Sequence, residues 1–299
     1  MALNKEIWLN DIVENFFPDD SFVKKSRDHS AFVEGKTVHV PNAGTPAAVT
    51  KNLNSFPATV GSRTDNDLSY DMGVFYAAPI VLNKAEDVEL SYDKRSSITS
   101  QSKAALLEAV AADILYNWVP ATSPVAVATT GSNATAHIHG ATGNRKKITL
   151  ADIKTVKKQF DADNVPQEGR YILLDSEMYN QLLDALSDAA TLNFLAGADP
   201  EKGVLGQYMG FSFMMRSKVL KTATGGTLKD WLTTNEAATD CAAGLAWQKD
   251  CVSHAMGSVE AYTTENDPAY YGDVLSYNMR AGGAPCRYDK KGVILIYQG

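Results

Sequence analysis

Between Glu86 and Tyr92 apolar and polar residues alternate strictly, with Val88, Leu90 and Tyr92 on one face and Asp87, Glu89 and Ser91 on the other. That period of two is the signature of a half-buried strand. The preceding stretch Tyr70 to Leu82 is its expected partner, with Asn83 to Ala85 at hairpin-loop length. The result is a β-arm over 61–95 with no core of its own. Two strands are marginal alone in water and leave edges unpaired, so the arm needs a cover, and a neighbouring subunit is the natural candidate. The period then changes. From Ser97 to Trp118, Leu107, Val110, Ala111, Ile114 and Trp118 share a helical face, hydroxyls at 96–100 cap its start, and Pro120 ends it.

Other elements follow from the same reading. Trp8, Leu9, Ile12, Val13 and Phe16 recur at helical spacing over 5–17, predicting an amphipathic segment that docks on a surface. Val38 and Val40 mark a strand over 36–41. The charge-poor stretch from 120 to 141 reads as loop with one short strand at 125–128. Thr149-Leu-Ala-Asp152 resembles a capping box, and Ile153, Val156 and Phe160 give the helix behind it an apolar face. Tyr171 to Leu174 suits a buried strand, and Asp175 or Ser176 is placed to cap a helix carrying Tyr179, Leu182, Leu183 and Leu186 inward. Phe211, Phe213 and Met215 alternate, as do Leu275, Tyr277 and Met279, and the chain closes on an apolar strand at 293–297. The class is mixed α+β with a discontinuous sheet.

Composition narrows what such a chain does. With 299 residues, 44% hydrophobic and 21% charged, it buries a sizeable core. Its longest apolar run, near 104–119, is broken by Glu108, Asp113 and Asn117, too charged to span a bilayer. The first residues, with Lys5 and Glu6, lack the apolar stretch of a signal peptide, so a cytoplasmic site of synthesis is expected. Cys241, Cys251 and Cys286 are odd in number and form no Cys-x-x-Cys, as expected of buried thiols. The net charge of −7 argues against a broad phosphate-gripping face. The cluster 144–147, Asn-Arg-Lys-Lys, reads as a solvated loop leading into a helix rather than a nucleic-acid contact.

Chemical motifs are weak. His137 and His139 place two imidazoles two residues apart, but no nearby Cys, Asp or Glu completes a metal set. Ser100 and Lys103 match Ser-x-x-Lys without its companion motifs. Gly140 to Lys146 fails the phosphate-loop pattern because Arg145 stands where the second glycine is required. Acidic pairs such as Asp19-Asp20 and Glu86-Asp87 sit in polar turns. His254 follows Cys251 by three residues, and this is the nearest approach to a thiol–imidazole pair. No catalytic residue, cofactor or metal site is expected. The rival reading is a soluble metal-dependent or Ser/Cys enzyme built on His137, His139 or Cys251.

The ordered blocks carry a resemblance. Val38-His-Val-Pro41, the segment Arg63 to Leu82, Tyr92-Asp-Lys-Arg95 before the long helix, and Val165 to Asp175 before the next are its first part. Gly203-Val-Leu-Gly206, Gly210-Phe-Ser-Phe213, Leu245-Ala-Trp-Gln-Lys249, Tyr271-Gly272 and the closing strand complete it. Together they resemble the major capsid proteins of tailed double-stranded-DNA bacteriophages, with the Hong Kong 97-like fold. The resemblance implies an N-terminal arm (1–54), an extended β-hairpin loop (55–95) and a peripheral domain with the spine helix (96–146). An axial domain (147–265) and closing strands of the peripheral domain (266–299) follow. It implies an icosahedral shell of pentamers and hexamers enclosing packaged DNA without sequence-specific binding or a membrane. A portal is expected and, since the arm starts almost at once, a separate scaffolding protein, with assembly in the host cytoplasm. The expected intersubunit contacts are Trp8, Phe16, Tyr76, Val88, Leu90 and Tyr92. An encapsulin-like cellular compartment is the alternative shell.

Overall fold

The computed structural model describes residues 18–54, 56–57, 60–83, 94–121, 125–230 and 236–299. In chain order, the first strands are β1 (Arg27–Asp28), β2 (Thr37–Asn42), β3 (Asn66–Asp71), β4 (Gly73–Tyr76) and β5 (Ile80–Asn83). Helix α1 (Lys94–Trp118) precedes β6 (Ala126–Ala128), β7 (Asn133–Thr135) and β8 (Asn144–Lys146). Then come α2 (Leu150–Ala162), β9 (Arg170–Leu174), α3 (Ser176–Asp184) and α4 (Asp188–Ala196). The remainder is strand-rich: β10 (Gly206–Tyr208), β11 (Phe211–Met215), β12 (Leu220–Thr222), β13 (Cys241–Gln248), β14 (Val252–Met256), β15 (Glu260–Asp267), β16 (Gly272–Pro285) and β17 (Val293–Tyr297).

One sheet lies between two helical layers. Leu245 of β13 pairs with Leu173 of β9 on one side and Leu295 of β17 on the other, giving the run β10-β11-β9-β13-β17-β6. Alternate residues serve different cores. Leu173, Leu245, Trp247 and Leu295 pack with Leu106, Val110, Ile114 and Trp118 of α1, whereas Ile172, Leu174, Ala246, Ile294 and Ile296 pack with Ile153, Val156 and Phe160 of α2 and Leu182 of α3. A strand covered on both faces reads as a continuous apolar run, which is why Ile172 to Leu174 and Val293 to Ile296 lack a polar alternation. The second sheet is organised by the 14-residue β16. Its Asn278 pairs with Glu260 of β15 and with Tyr76 of β4, so those strands flank it on opposite sides. The 25-residue α1, about 37 Å long at 1.5 Å per residue, packs across this sheet.

Three expectations are corrected by these pairings. Tyr70 to Leu82 divides between two sheets of its own subunit: β3 pairs with β2, and β4 and β5 fill one side of β16. Burial of Met72 and Leu82 drives this, since each needs an apolar site that a free arm lacks. The expected partner strand Glu86–Tyr92 lies outside the described residues. The long hairpin that is described runs over 37–71, with the loop 43–65 between its strands, so it begins well before residue 55. The sheets cut across the expected domain bounds: β14 and β15 pair with β16, while the closing strand β17 pairs with β13 and β6 in the sheet that is buried on both faces.

Local signals explain the helix starts. Thr149 and Asp152 exchange a full capping box, with Thr149 N–H donating to Asp152 Oδ2 at 2.8 Å. Asp175 Oδ1 accepts from Met178 N–H at 2.7 Å and caps α3. Thr149→Ala is expected to lower subunit stability by about 1 kcal/mol. Urea unfolding with an unchanged m-value checks this; a shift below about 0.3 kcal/mol would mean that the box is not holding the helix end.

Candidate functional site

The residues with chemical potential do not converge. His137 Nε2 faces Asp175 Oδ2, while His139 Nδ1 lies 3.1 Å from Glu236 Oε2, so the two imidazoles serve different carboxylates. Among the described residues no group of three or more His, Cys, Asp or Glu is arranged to hold a metal. Burial pushes the Cys251 thiol up to about 11, opposite to what a nucleophile requires. His254 turns to Ser26, whose Oγ lies 2.7 Å from its Nδ1. Ser100 and Lys103 sit in the first turns of α1. The Arg145 guanidinium donates to the carbonyls of Ala238 and Asp240, which ties two loops together.

The His137–Asp175 pair carries a pH signature. Burial works to lower the imidazole pKa, but the Asp175 hydrogen bond and the charges of Asp175 and Glu177 outweigh it and hold it above its ordinary value. A raised folded pKa gives stability that is fully present below the unfolded value of about 6.5 and fades as pH rises through the folded one. His137→Gln is therefore expected to lower the melting temperature more at about pH 5.5 than at about pH 8.5. A destabilisation that is flat or grows with pH would remove this account.

Large exposed apolar groups gather on a loop and on a sheet face. Strands β2 and β3 pair in register from Thr37↔Asp71 to Asn42↔Asn66 and project the loop 43–65. Their base is anchored by Val38, Met72 and Ala255. Beyond it, Val49 is 98%, Val60 94% and Phe56 79% exposed. Residues 43–64 include no carboxylate, so the loop is apolar and weakly basic. Apolar groups unshielded on a loop are the kind of surface that association buries. Composition gave the only signal for them: a charge-poor stretch with large apolar residues between two strand patterns.

A second exposed face lies on the side of the sheet organised by β16. Tyr76, Val74, Glu260, Tyr262, Asn278 and Arg280 line a shallow cleft of about 400 Å³. Tyr262 Oη donates to Glu260 at 2.9 Å and accepts from Asn278 Nδ2 at 3.0 Å, which fixes the ring. Of the expected contact residues, Tyr76 is thus exposed at 74%, on a sheet face. Trp8, Phe16, Val88, Leu90 and Tyr92 lie outside the described residues.

A segment that the sequence reading passed over is a strap at 18–34. Phe22 meets Trp118 edge-on, Trp247 Nε1 donates to the Lys25 carbonyl at 2.9 Å, and β1 pairs in parallel with β14. The buried Arg216 holds its start by donating Nε–H to the Asp19 carbonyl at 3.0 Å and Nη1–H to that of Lys218 at 2.6 Å.

With this geometry in view, comparison with known proteins is direct. A family model described as phage capsid protein matches residues 25–298. No match is found among curated proteins. Solved structures similar over nearly the whole chain include the capsid of cyanophage P-SCSP1u (18% identity, 99% of this chain and 93% of that one, TM-score 0.66). The capsid of Ralstonia phage GP4 matches at 13% identity, 99% and 95% coverage and TM-score 0.66. A structure from Mycobacterium phage Che8 matches at 15% identity, 99% and 97% coverage and TM-score 0.65. These similarities show the fold.

Proposed function

The chain belongs to the phage capsid protein family and is a structural subunit of a phage shell; on that premise we propose how its parts divide the work of assembly. The hairpin 37–71 is the arm that reaches over a neighbouring copy, with Val49, Phe56 and Val60 as its contacts. The observation that carries this reading is a loop with Val49, Phe56 and Val60 exposed and no carboxylate between 43 and 64, carried on a two-stranded base. The α1 helix with the β16 sheet forms the peripheral domain, and the sheet centred on β13 with α2 to α4 forms the axial domain. The N-terminal residues 1–17, with Trp8 and Phe16, and the stretch 84–93, with Val88, Leu90 and Tyr92, add further contacts between copies.

The shell is icosahedral, built of pentamers and hexamers, and encloses packaged double-stranded DNA without reading its sequence. The net charge of −7 supports this. A lining that neutralised many phosphates would bind DNA with steep salt dependence, whereas an acidic wall leaves it free to move. Closure makes modest pairwise contacts collectively strong. A scaffolding protein, a portal and assembly in the host cytoplasm complete the proposal. Purified protein is expected to form closed shells or capsomer rings in negative-stain images. Strictly monomeric particles at all salt concentrations, with and without scaffold, would overturn it.

A further inference from the structure

We propose that residues 26–32 of the strap form an acid-opened latch: His254 and His29, in the seam between strap and β14, keep it closed while neutral and release it when charged. The latch belongs to the single subunit and is independent of the assembly roles above. Its segment is fastened at both ends and lightly held between. Phe22 meets Trp118 and the Lys25 carbonyl accepts from Trp247 on one side, and Val33 pairs with Val38 on the other. Between them β1 contributes two residue pairs, Arg27 with Ser253 and Asp28 with His254. His29 N–H donates to the His254 carbonyl at 2.8 Å, and Met256 N–H donates to Ser30 Oγ at 3.0 Å. The Arg27–Asp250 ion pair is exposed on both sides and adds little, and Phe32 is 68% exposed. So few bonds over so little buried apolar surface place the segment among the parts of a fold that open first.

Both imidazoles are placed for the neutral form. The Ser26 hydroxyl donates to the Val23 carbonyl at 2.6 Å, so it accepts from His254 Nδ1–H at 2.7 Å. That bond fixes the tautomer and leaves the unprotonated Nε2 3.9 Å from Asp28 Oδ1, beyond hydrogen-bond reach. His29 Nδ1 is buried without a hydrogen-bond partner among the described residues, and its ring meets Phe32 edge-on. Of the charges facing the pair, Asp28 favours protonation, but it is exposed and already accepts from Ser30 N–H at 2.9 Å. Arg27 opposes a further cation and takes up Asp250, which precedes β14. Residues 281–285 of β16, paired with β14, include no titratable group. The Tyr70 hydroxyl of β3 and the Cys286 thiol lie at Ser253, both pushed up by burial and so neutral in mild acid. Burial, reinforced by Arg27 at His29 and by His29 at His254, outweighs Asp28 and holds both imidazoles below their ordinary value. A value depressed in the closed state gives closure that is fully stable above the open-state value of about 6.5 and is lost as pH falls through the depressed one.

Released, the segment bares the edge of β14 that β1 covers, a row of unpaired backbone groups, while Phe22 stays seated on Trp118. From about pH 7.5 to about pH 5.5, a histidine that titrates at about 6.5 when open and stays neutral when closed raises the opening constant about tenfold. Hydrogen exchange of the full-length unassembled subunit, read by mass spectrometry and corrected for the intrinsic effect of pH, measures this. Opening at the His29 and Met256 amides is expected to rise at least about fivefold over that range, with the β13 amides unchanged within about twofold. His29→Gln and His254→Gln are each expected to lower the response, and the double variant to abolish it while the segment stays protected at about pH 7.5. A wild-type response below about twofold, a response that survives in the double variant, or β13 opening in step with the segment would overturn the latch. A double variant already unprotected at about pH 7.5 would also overturn it, because the rings would then hold the segment by packing and not by their charge state.

Discussion

Replacing residues 45–63 with a short glycine-containing turn is expected to leave a folded subunit that no longer forms stable shells. The described residues of the loop are absent from the two main cores of the subunit, which are built by the β13 sheet with α1 on one face and α2 and α3 on the other. Its cut ends, Gly44 and Thr64, lie two residues beyond Asn42 and Asn66, which are already paired across β2 and β3, so a turn can close them without shifting register. What is lost is Val49, Phe56 and Val60, each worth about 1.5–3 kcal/mol when a neighbour covers it. That loss recurs at every copy, and closure multiplies it. Light scattering and negative stain are expected to show shell yield falling at least tenfold, while the far-ultraviolet circular dichroism and unfolding midpoint of the subunit stay within a few degrees of wild type. Shells at wild-type yield would remove the intersubunit role of the hairpin 37–71, and loss of cooperative unfolding would mean that the loop is part of the core. Removing 73–83 instead is expected to unfold the subunit, since β4 and β5 fill one side of β16 and bury Leu82.

The contrast between those two segments shows where sequence is informative. Thr149 with Asp152, Asp175 before α3, and the apolar runs at β9 and β17 are local patterns, and each element lies where its pattern points. Strand pairing is not local. Residues 66–83 have β periodicity, but nothing in them states that β3 returns to β2 while β4 and β5 go to β16, and a neighbouring alternation at 86–92 offers an equally plausible partner. β13 is hidden for another reason. Cys-Ala-Ala-Gly-Leu-Ala-Trp-Gln has weak strand propensity, and its small residues are set by what lies beside them. At Gly244 a Cβ would meet the Leu173 carbonyl at 2.7 Å and a Leu174 methyl at 2.6 Å, so the strand approaches its neighbour more closely than any side chain allows. The strap at 18–34 is short, mostly polar and held by backbone carbonyls at Asp19 and Lys25, which no side-chain pattern encodes. For the exposed apolar residues, composition marks the loop 43–65 as charge-poor, but what would cover them lies outside the subunit's own fold, so no local pattern names it.

Trp118→Ala is expected to be the most destabilising single change in the subunit, by about 3–5 kcal/mol, a large share of the roughly 5–15 kcal/mol typical of a domain. The indole is fully buried at the end of α1, where three parts of the molecule meet. It lies edge-on to Phe22 of the strap with ring centroids 5.7 Å apart, tilted at 5.4 Å to Trp247 of β13, and its Nε1 donates to the Ser253 carbonyl of β14 at 2.8 Å. Truncation therefore leaves a cavity between both sheets and removes the side-chain donor to a buried carbonyl, and both effects act in the same direction. Trp118→Phe separates them: it keeps most of the packing and loses only the donor, with an expected cost of about 1–3 kcal/mol. Urea unfolding of the unassembled subunit measures both. A double-mutant cycle with Phe22→Ala is expected to give a coupling energy of about 0.5–3 kcal/mol, because the two rings share one cavity. Additive effects would mean that the strap is held by its backbone bonds alone, and a Trp118→Ala cost below about 1 kcal/mol would mean that the sheets are joined elsewhere. With the coupling present, the segment 18–34, the β13 sheet and the β16 sheet are joined through one shared cavity, and loosening any of the three loosens the others.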